Sequence, residues 1–198
     1  MSKTKRQQVR ERQRRRKIRN YIVWGLLGAG VLAVIGAFAW QQARPVGAVG
    51  EAVEVSPDYV NHIEEGADPG PFPSNPPAGG RHYASEFEAG FYEETSPQAQ
   101  AAYPEGYIGH NLEHGYVVFW YNCALLSVSE CDSLKSGIRT VMDEFGGIKL
   151  IAFPWPSLDV PVAMTSWGRI LRFDSFDPET AADFIRANRN KSPEPNAP

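Results

Sequence analysis

The residues best suited to chemistry are the four histidines, all of which fall between residues 62 and 114: His62, His82, His110 and His114. Imidazole is a common ligand of zinc and copper. His110 and His114 are four residues apart, so in a helical turn their side chains would share one face and could hold one metal ion. In an extended strand they would stand too far apart. Metal chelation therefore requires a turn between Gly109 and Gly115.

Two further side chains could complete such a site, and the metal set predicted here is His82, His110, His114 and Met164. A thioether beside imidazoles suits copper, especially Cu(I), and imidazoles alone suit zinc. The competing interpretation gives the histidines a structural role. Their rings would bond backbone carbonyls and hold irregular segments in place, with Glu113 as an acceptor. His62, Glu113 and Arg169 are the other site candidates, and Arg169 could bind a carboxylate through two hydrogen bonds.

The segment from His110 to His114 also matches the His-x-x-Glu-His pattern of inverted zinc proteases. That motif needs a longer helix, whereas the chain becomes strand-like directly after Gly115. No phosphate-binding loop, dinucleotide fingerprint or Ser-His-Asp pattern is present. We therefore predict no catalytic and no organic cofactor-binding residues, and a metal-dependent hydrolase is only the third hypothesis.

The two cysteines, Cys123 and Cys131, lie close together in the sequence. In an oxidising compartment the pair would form a disulfide across a short segment. Two free buried thiols are the alternative. The spacing predicts a bridge if this part of the chain lies outside the cytoplasm.

Charge is distributed unequally along the chain. The first twenty residues carry ten Lys or Arg and one Glu, a sum of +9, and the rest carry ten against twenty-two, a sum of −12. Residues 21–40 contain no charge, and about 20 apolar residues are enough to span a bilayer as a helix. Basic residues at the N-terminal end of a span hold that end in the cytoplasm. We expect a single-pass cell-membrane protein with its C-terminal domain outside the cytoplasm.

The basic residues next to the span favour membrane lipid as a partner, and no nucleic acid is expected. Gly25, Ala29, Ala33 and Ala37 place small side chains along one face of the span, where another membrane protein could pack. A cleaved signal peptide is the alternative to a retained anchor. Its apolar run would be shorter than this one.

Composition divides the chain into five parts: a basic cytoplasmic tail at 1–20, a transmembrane helix at 21–40, a linker at 41–50, a globular domain at 51–190 and a disordered tail at 191–198. The first half of the globular domain is rich in Pro and Gly and has little periodicity. We expect it to be long irregular structure.

The second half has regular patterns that predict the element order β-α-β-β-β-α. Strands are expected at 115–121, 148–153, 161–165 and 169–173, with a helix at 132–145 capped by Asp132 and a last helix capped by Asp177. The fold class is an α/β (α+β) sandwich with one small sheet and two main helices. A thioredoxin-like fold is the minority option, because the hairpin is compatible with it but no Cys-x-x-Cys motif is present.

Three motifs resemble a bacterial family known as a domain of unknown function, family 3105: Pro76 to Tyr83, His110 to Gly115, and Thr165 to Arg169. The resemblance covers about residues 57–190. It implies that His62, His82, His110, Glu113 and His114 match positions of the family pattern, and it implies no activity. Ala78 and Gly79 depart from the hydroxyl-bearing turn that the resemblance implies.

The leading hypothesis is a membrane-anchored binding or accessory protein outside the cytoplasm with a copper or zinc site lined by histidines. The second hypothesis is an interaction module of a membrane complex whose histidines are only structural. Metal content of the purified protein separates the two.

Overall fold

The computed structural model describes residues 22–33 and 49–197. Residues 22–33 form a helix, α1, and residues 49–197 belong to a separate compact unit. None of the helices among these described residues combines the length and the apolar content that crossing a bilayer would require. The predicted basic tail, both ends of the predicted span and most of the linker lie outside the described residues.

The compact unit is built on one mixed sheet. Its six strands are β1 Glu51–Ala52, β2 Gly90–Phe91, β3 Val117–Tyr121, β4 Leu150–Pro154, β5 Val162–Ser166 and β6 Arg169–Phe173. Their order across the sheet is β1-β6-β5-β3-β4-β2. β3 pairs with β4 and β4 with β2 in parallel, and the remaining neighbours are antiparallel.

Within residues 49–197 three α-helices accompany the sheet: α2 Pro104–Glu113, α3 Val128–Glu144 and α4 Pro178–Asn188. From β3 onwards the order is β-α-β-β-β-α, which confirms the predicted order and the α+β class. The link between β4 and β5 contains no helix. The thioredoxin-like option stays a prediction.

The predicted start of α3 was wrong. Ser127, not Asp132, is the N-cap, and its hydroxyl and the Glu130 side chain each bond the other residue's backbone N–H. This capping box satisfies two N–H groups that would lack partners at the helix start, so the helix begins one turn earlier. Asp177 does cap α4, where it accepts from the N–H of Thr180 at 3.1 Å.

The central strand β3 buries both of its faces. Phe119 and Tyr121 pack against α3 and α4, whereas Val118 and Trp120 pack against α2. Successive side chains of a strand point to opposite faces, so two hydrophobic clusters form on the two sides of the sheet. The Pro- and Gly-rich segment and α2 together cover the second side.

Cys123 and Cys131 are joined in a disulfide, with their Cα atoms 5.3 Å apart. The bond links the turn after β3 to the first part of α3. It lies on the opposite side of the sheet from α2, since Cys123 packs against the cluster that contains Phe119.

Candidate metal centre

Helix α2 positions the residues of the candidate site. Ile108 and Leu112 are fully buried in the cluster against the sheet, which fixes the rotation of the helix about its axis. His110 and Glu113 therefore project from another face. The helix ends at Glu113, with His114 as its C-cap. The last residues of α2 and its C-cap thus form the turn that chelation requires between Gly109 and Gly115.

The segment that carries His82 lies directly against this helix. The backbone N–H of Tyr83 donates to Gly106 O at 3.0 Å. A Cβ added at Gly109 would lie 2.7 Å from the Cβ of His82, and one added at Gly106 would overlap the ring of Tyr83. Two glycines on one face of α2 therefore permit the close approach that brings His82 to His110.

His62 reaches the same place through the backbone. His62 and His82 form a parallel β-bridge, and the N–H of Ile63 donates to His82 O at 2.8 Å. The bridge places the ring centroids of His62 and His82 5.1 Å apart, and those of His62 and His110 4.9 Å apart. Three histidines that are distant in sequence thus meet.

Hydrogen bonds determine which nitrogen of His82 is free. Its Nδ1 lies 2.8 Å from Gly80 O, and since a carbonyl only accepts, Nδ1 carries the proton. The other nitrogen, Nε2, lies 2.9 Å from Oε2 of Glu113. His82 is fully buried and the Glu113 side chain is 2% exposed. Neutral Nε2 and a carboxylate are both acceptors, so this buried contact needs either a proton shared between the two groups or a metal ion that both groups bind.

His110 has the same arrangement. Its Nδ1 lies 2.9 Å from Tyr83 O, so that nitrogen is the donor and Nε2 retains its lone pair. Burial, followed by the neighbouring His114, His82 and His62, lowers the pKa of His110 to about 4. The ring is therefore neutral at pH 7.

Four residues together present ligand atoms that all lie within 4.8 Å of one another: His62, His82, His110 and Glu113. His62 is the exposed member, with 42% of its side chain accessible, and its Nε2 lies 3.7 Å from Oε2 of Glu113. The second oxygen of Glu113, Oε1, is buried and has no hydrogen-bond partner. The group could hold a metal ion, and its exposed edge is at His62.

The predicted metal set is only partly brought together. The rings of His110 and His114 are 4.2 Å apart, but the nitrogens of His114 face two other carboxylates. Nδ1 lies 3.0 Å from Oε2 of Glu86, and Nε2 lies 3.7 Å from Oε2 of Glu194. Met164 lies in the hydrophobic cluster with α3 and α4, on the opposite side of the sheet from α2.

Arg169 is also separate from the group, and its Nη1 donates to Gly50 O at 3.4 Å. Glu86 and Glu194, which face His114, were not predicted. Each lies in a segment without periodicity or a motif, so no local signal in the sequence distinguishes it from the other acidic residues.

Comparison with known families matches residues 65–198 to a family described as a protein of unknown function, DUF3105. The chain belongs to this family. The match confirms the predicted family, and the matched region includes His82, His110, Glu113 and His114, whereas His62 precedes it. No curated protein and no solved structure matches the chain.

Proposed function

We propose that this DUF3105 protein is anchored in the cell membrane by a single helix and binds a divalent metal ion, with zinc foremost, in its domain outside the cytoplasm. The ligands are His62, His82, His110 and Glu113. The observation that carries the proposal is the contact of 2.9 Å between Nε2 of His82 and Oε2 of Glu113, two buried acceptor atoms that one metal ion would satisfy together.

The orientation of the rings supports metal binding. In His82 and His110 the Nδ1–H is held by a backbone carbonyl, at 2.8 and 2.9 Å. Histidines that bind metals usually donate their other N–H to a carbonyl or carboxylate, which fixes the ring and the tautomer. Both Nε2 atoms are thereby available as ligands.

The donor types favour zinc or copper(II). Three imidazoles and one carboxylate form a nitrogen-rich set of four, which suits tetrahedral zinc. Cu(I) prefers soft sulfur ligands, and Met164 lies on the opposite side of the sheet. Four protein ligands are typical of zinc sites that hold structure together, so we propose binding and no reaction.

The membrane anchor is supported by the sequence. The first twenty residues sum to +9, and the next twenty contain no charge, which is the pattern of a span with a cytoplasmic N-terminus. The lipid surface is then a partner of the basic segment, and a second membrane protein could pack on the span.

The alternative of structural histidines has its own support, because the bond from His110 to Tyr83 O holds residues 80–83 against α2 without a metal, and the bond from His82 to Gly80 O braces that segment internally. Zinc content separates the two hypotheses. The full chain, purified, loaded with Zn²⁺ and passed through gel filtration, should retain zinc in a fixed ratio to protein. Replacing the exposed ligand in His62→Ala should weaken zinc binding at least about tenfold.

Asn61→Ala is the matched control for this experiment, since Asn61 is the exposed neighbour of His62 and contributes no predicted ligand. It should bind zinc as the wild type does. The wild-type chain could instead retain neither zinc nor copper and show the same melting temperature with and without either ion. That result would leave only the structural role for the histidines.

A further inference from the structure

We infer that a second cation binds beside the first, held by His114, Glu194 and the second oxygen of Glu113, so that the Glu113 carboxylate bridges two ions. This inference rests on the proposed function. It concerns a neighbouring set of ligands, in which Glu113, His114 and Glu194 present ligand atoms that all lie within 4.8 Å of one another.

The carboxylate of Glu113 belongs to two candidate ligand groups, one with His62, His82 and His110 and the other with His114 and Glu194. Its Oε2 contacts His82 at 2.9 Å and His62 at 3.7 Å. Its Oε1 is buried without a hydrogen-bond partner, although the side chain is only 2% exposed. An ionised oxygen without a partner in a buried place is costly. A cation on the side of His114 would give Oε1 the partner that it lacks.

His114 is oriented to supply a nitrogen to that cation. Its Nδ1 is 3.0 Å from Oε2 of Glu86, and its Nε2 is 3.7 Å from Oε2 of Glu194. The Nδ1 contact lacks hydrogen-bond geometry, so this nitrogen is not engaged by Glu86 as a donor. Nε2 is the nitrogen that faces Glu194 and would bind the ion.

Glu194 is brought to the site by a segment that we name the strap, residues 190–197. The strap is attached by backbone bonds from Asn190 N to Gly115 O at 2.9 Å and from Glu194 N to Glu113 O at 3.0 Å. Gly115 allows this approach, since a Cβ there would lie 2.7 Å from the Cα of Asn190. The backbone of Glu113 itself is therefore bonded to the residue that would share its cation.

Lys149 fixes the other end of the strap. Its Nζ donates to the carbonyls of His114, Pro195 and Ala197 at 2.9, 3.1 and 2.9 Å. Because these bonds go to neutral carbonyls, the ammonium group is not paired with Glu86, Glu113 or Glu194. Three carboxylates thus surround His114, and a divalent ion would offset their charge.

The donor types define the cation. Two carboxylates and one imidazole form a harder, more oxygen-rich set than the three imidazoles of the first site, so it accepts Zn²⁺ and also Mn²⁺. The two ions share one carboxylate, and loss of Glu194 should remove one of them while the first site keeps its ligands.

The test is the zinc stoichiometry of the full chain and of Glu194→Gln, measured by elemental analysis after gel filtration. The wild type should retain two zinc ions per chain and Glu194→Gln one. Glu144→Gln, at an exposed position in α3, is the matched control and should retain two. One zinc in the wild type, or two in Glu194→Gln, overturns the second site and leaves the first. No zinc in the wild type overturns both.

Bridging has its own measurement with Cu²⁺ as the probe. One equivalent should give the paramagnetic resonance spectrum of an isolated Cu²⁺ ion. The second equivalent, sharing Glu113 with the first, should couple to it and reduce the signal intensity per copper. In Glu194→Gln one bound copper should keep its full intensity. Two bound copper ions that both keep full intensity would contradict the bridge.

Discussion

Nε2 of His82 lies 2.9 Å from Oε2 of Glu113, while Nδ1 of the same ring lies 2.8 Å from the carbonyl of Gly80. The ring donates its Nδ1–H to one acceptor, and its Nε2 faces a second acceptor with which it could share a metal ion. Most consequences of the proposed site follow from this arrangement.

Glu113→Gln should remove the metal response and stabilise the metal-free protein. In the metal-free protein Oε1 of Glu113 is buried and has no hydrogen-bond partner. A Gln amide can donate to Nε2 of His82 and carries no charge. We expect the free energy of unfolding to rise by about 1–3 kcal/mol, and added zinc to leave the melting temperature unchanged. A less stable variant that still responds to zinc would contradict the assignment.

Gly109→Ala should destabilise the protein and weaken zinc binding together. The added Cβ would lie 2.7 Å from the Cβ of His82, so the His82 segment must move away from α2. Overpacking of this kind costs about 1–3 kcal/mol. Thermal unfolding and zinc titration measure the two effects. Gly28→Ala, at a helical position of α1 with nothing within 4 Å, should change neither. Normal stability in Gly109→Ala would show that the two segments are not in such close contact.

Lys149→Met should detach the strap and selectively weaken the second cation site. The substitution removes the three bonds to the carbonyls of His114, Pro195 and Ala197 and keeps a side chain of similar length. We expect affinity for the second zinc ion to fall at least about tenfold, with the first retained. The control is Lys191→Met at an exposed position of the strap. If Lys149→Met and Lys191→Met lost the same affinity for the second zinc ion, the effect would come from the loss of a positive charge and not from the bonds of Lys149.

Cys123 and Cys131 should resist alkylation until a reductant is added, because the structure joins them. Replacing both by Ser opens a short closed segment and should lower the free energy of unfolding by about 2–3 kcal/mol. Zinc stoichiometry should not change, since the disulfide and α2 lie on opposite sides of the sheet. Complete labelling without reductant would disprove the bridge in the purified protein.

The domain that carries the site should be outside the cytoplasm, because the +9 segment precedes the uncharged stretch. Protease added to intact cells or spheroplasts should digest it. If the domain were protected in intact cells and digested only after permeabilisation, it would lie in the cytoplasm and the predicted topology would be wrong.

Local patterns predicted much of the regular half of the fold. The buried strand at β3, the hairpin of β5 and β6 and the Asp177 cap all depend on neighbours in the sequence, and the structure contains each of them. The start of α3 is also encoded locally, since Ser127 and Glu130 form a capping box, whereas the sequence prediction places the cap at Asp132.

The site was predictable in its residue types and not in its grouping. His62, His82, His110 and Glu113 are all candidates in the sequence, but the predicted metal set combines His82 and His110 with His114 and Met164 and leaves out His62 and Glu113. The alternation of side chains along β5 excludes Met164 from the site. Ala163 faces the side of the sheet covered by α2, so its neighbour Met164 faces the opposite side.

By itself the sequence determined the charge asymmetry, the cysteine spacing, the histidine motifs of the family and the order of elements from β3 onwards. Only the tertiary structure decided which ligands meet. The glycines of α2 let the His82 segment approach His110, and the strap brings Glu194 to His114 from eighty residues further along the chain. These contacts depend on packing between segments that are far apart in sequence, and no local pattern encodes such a distance.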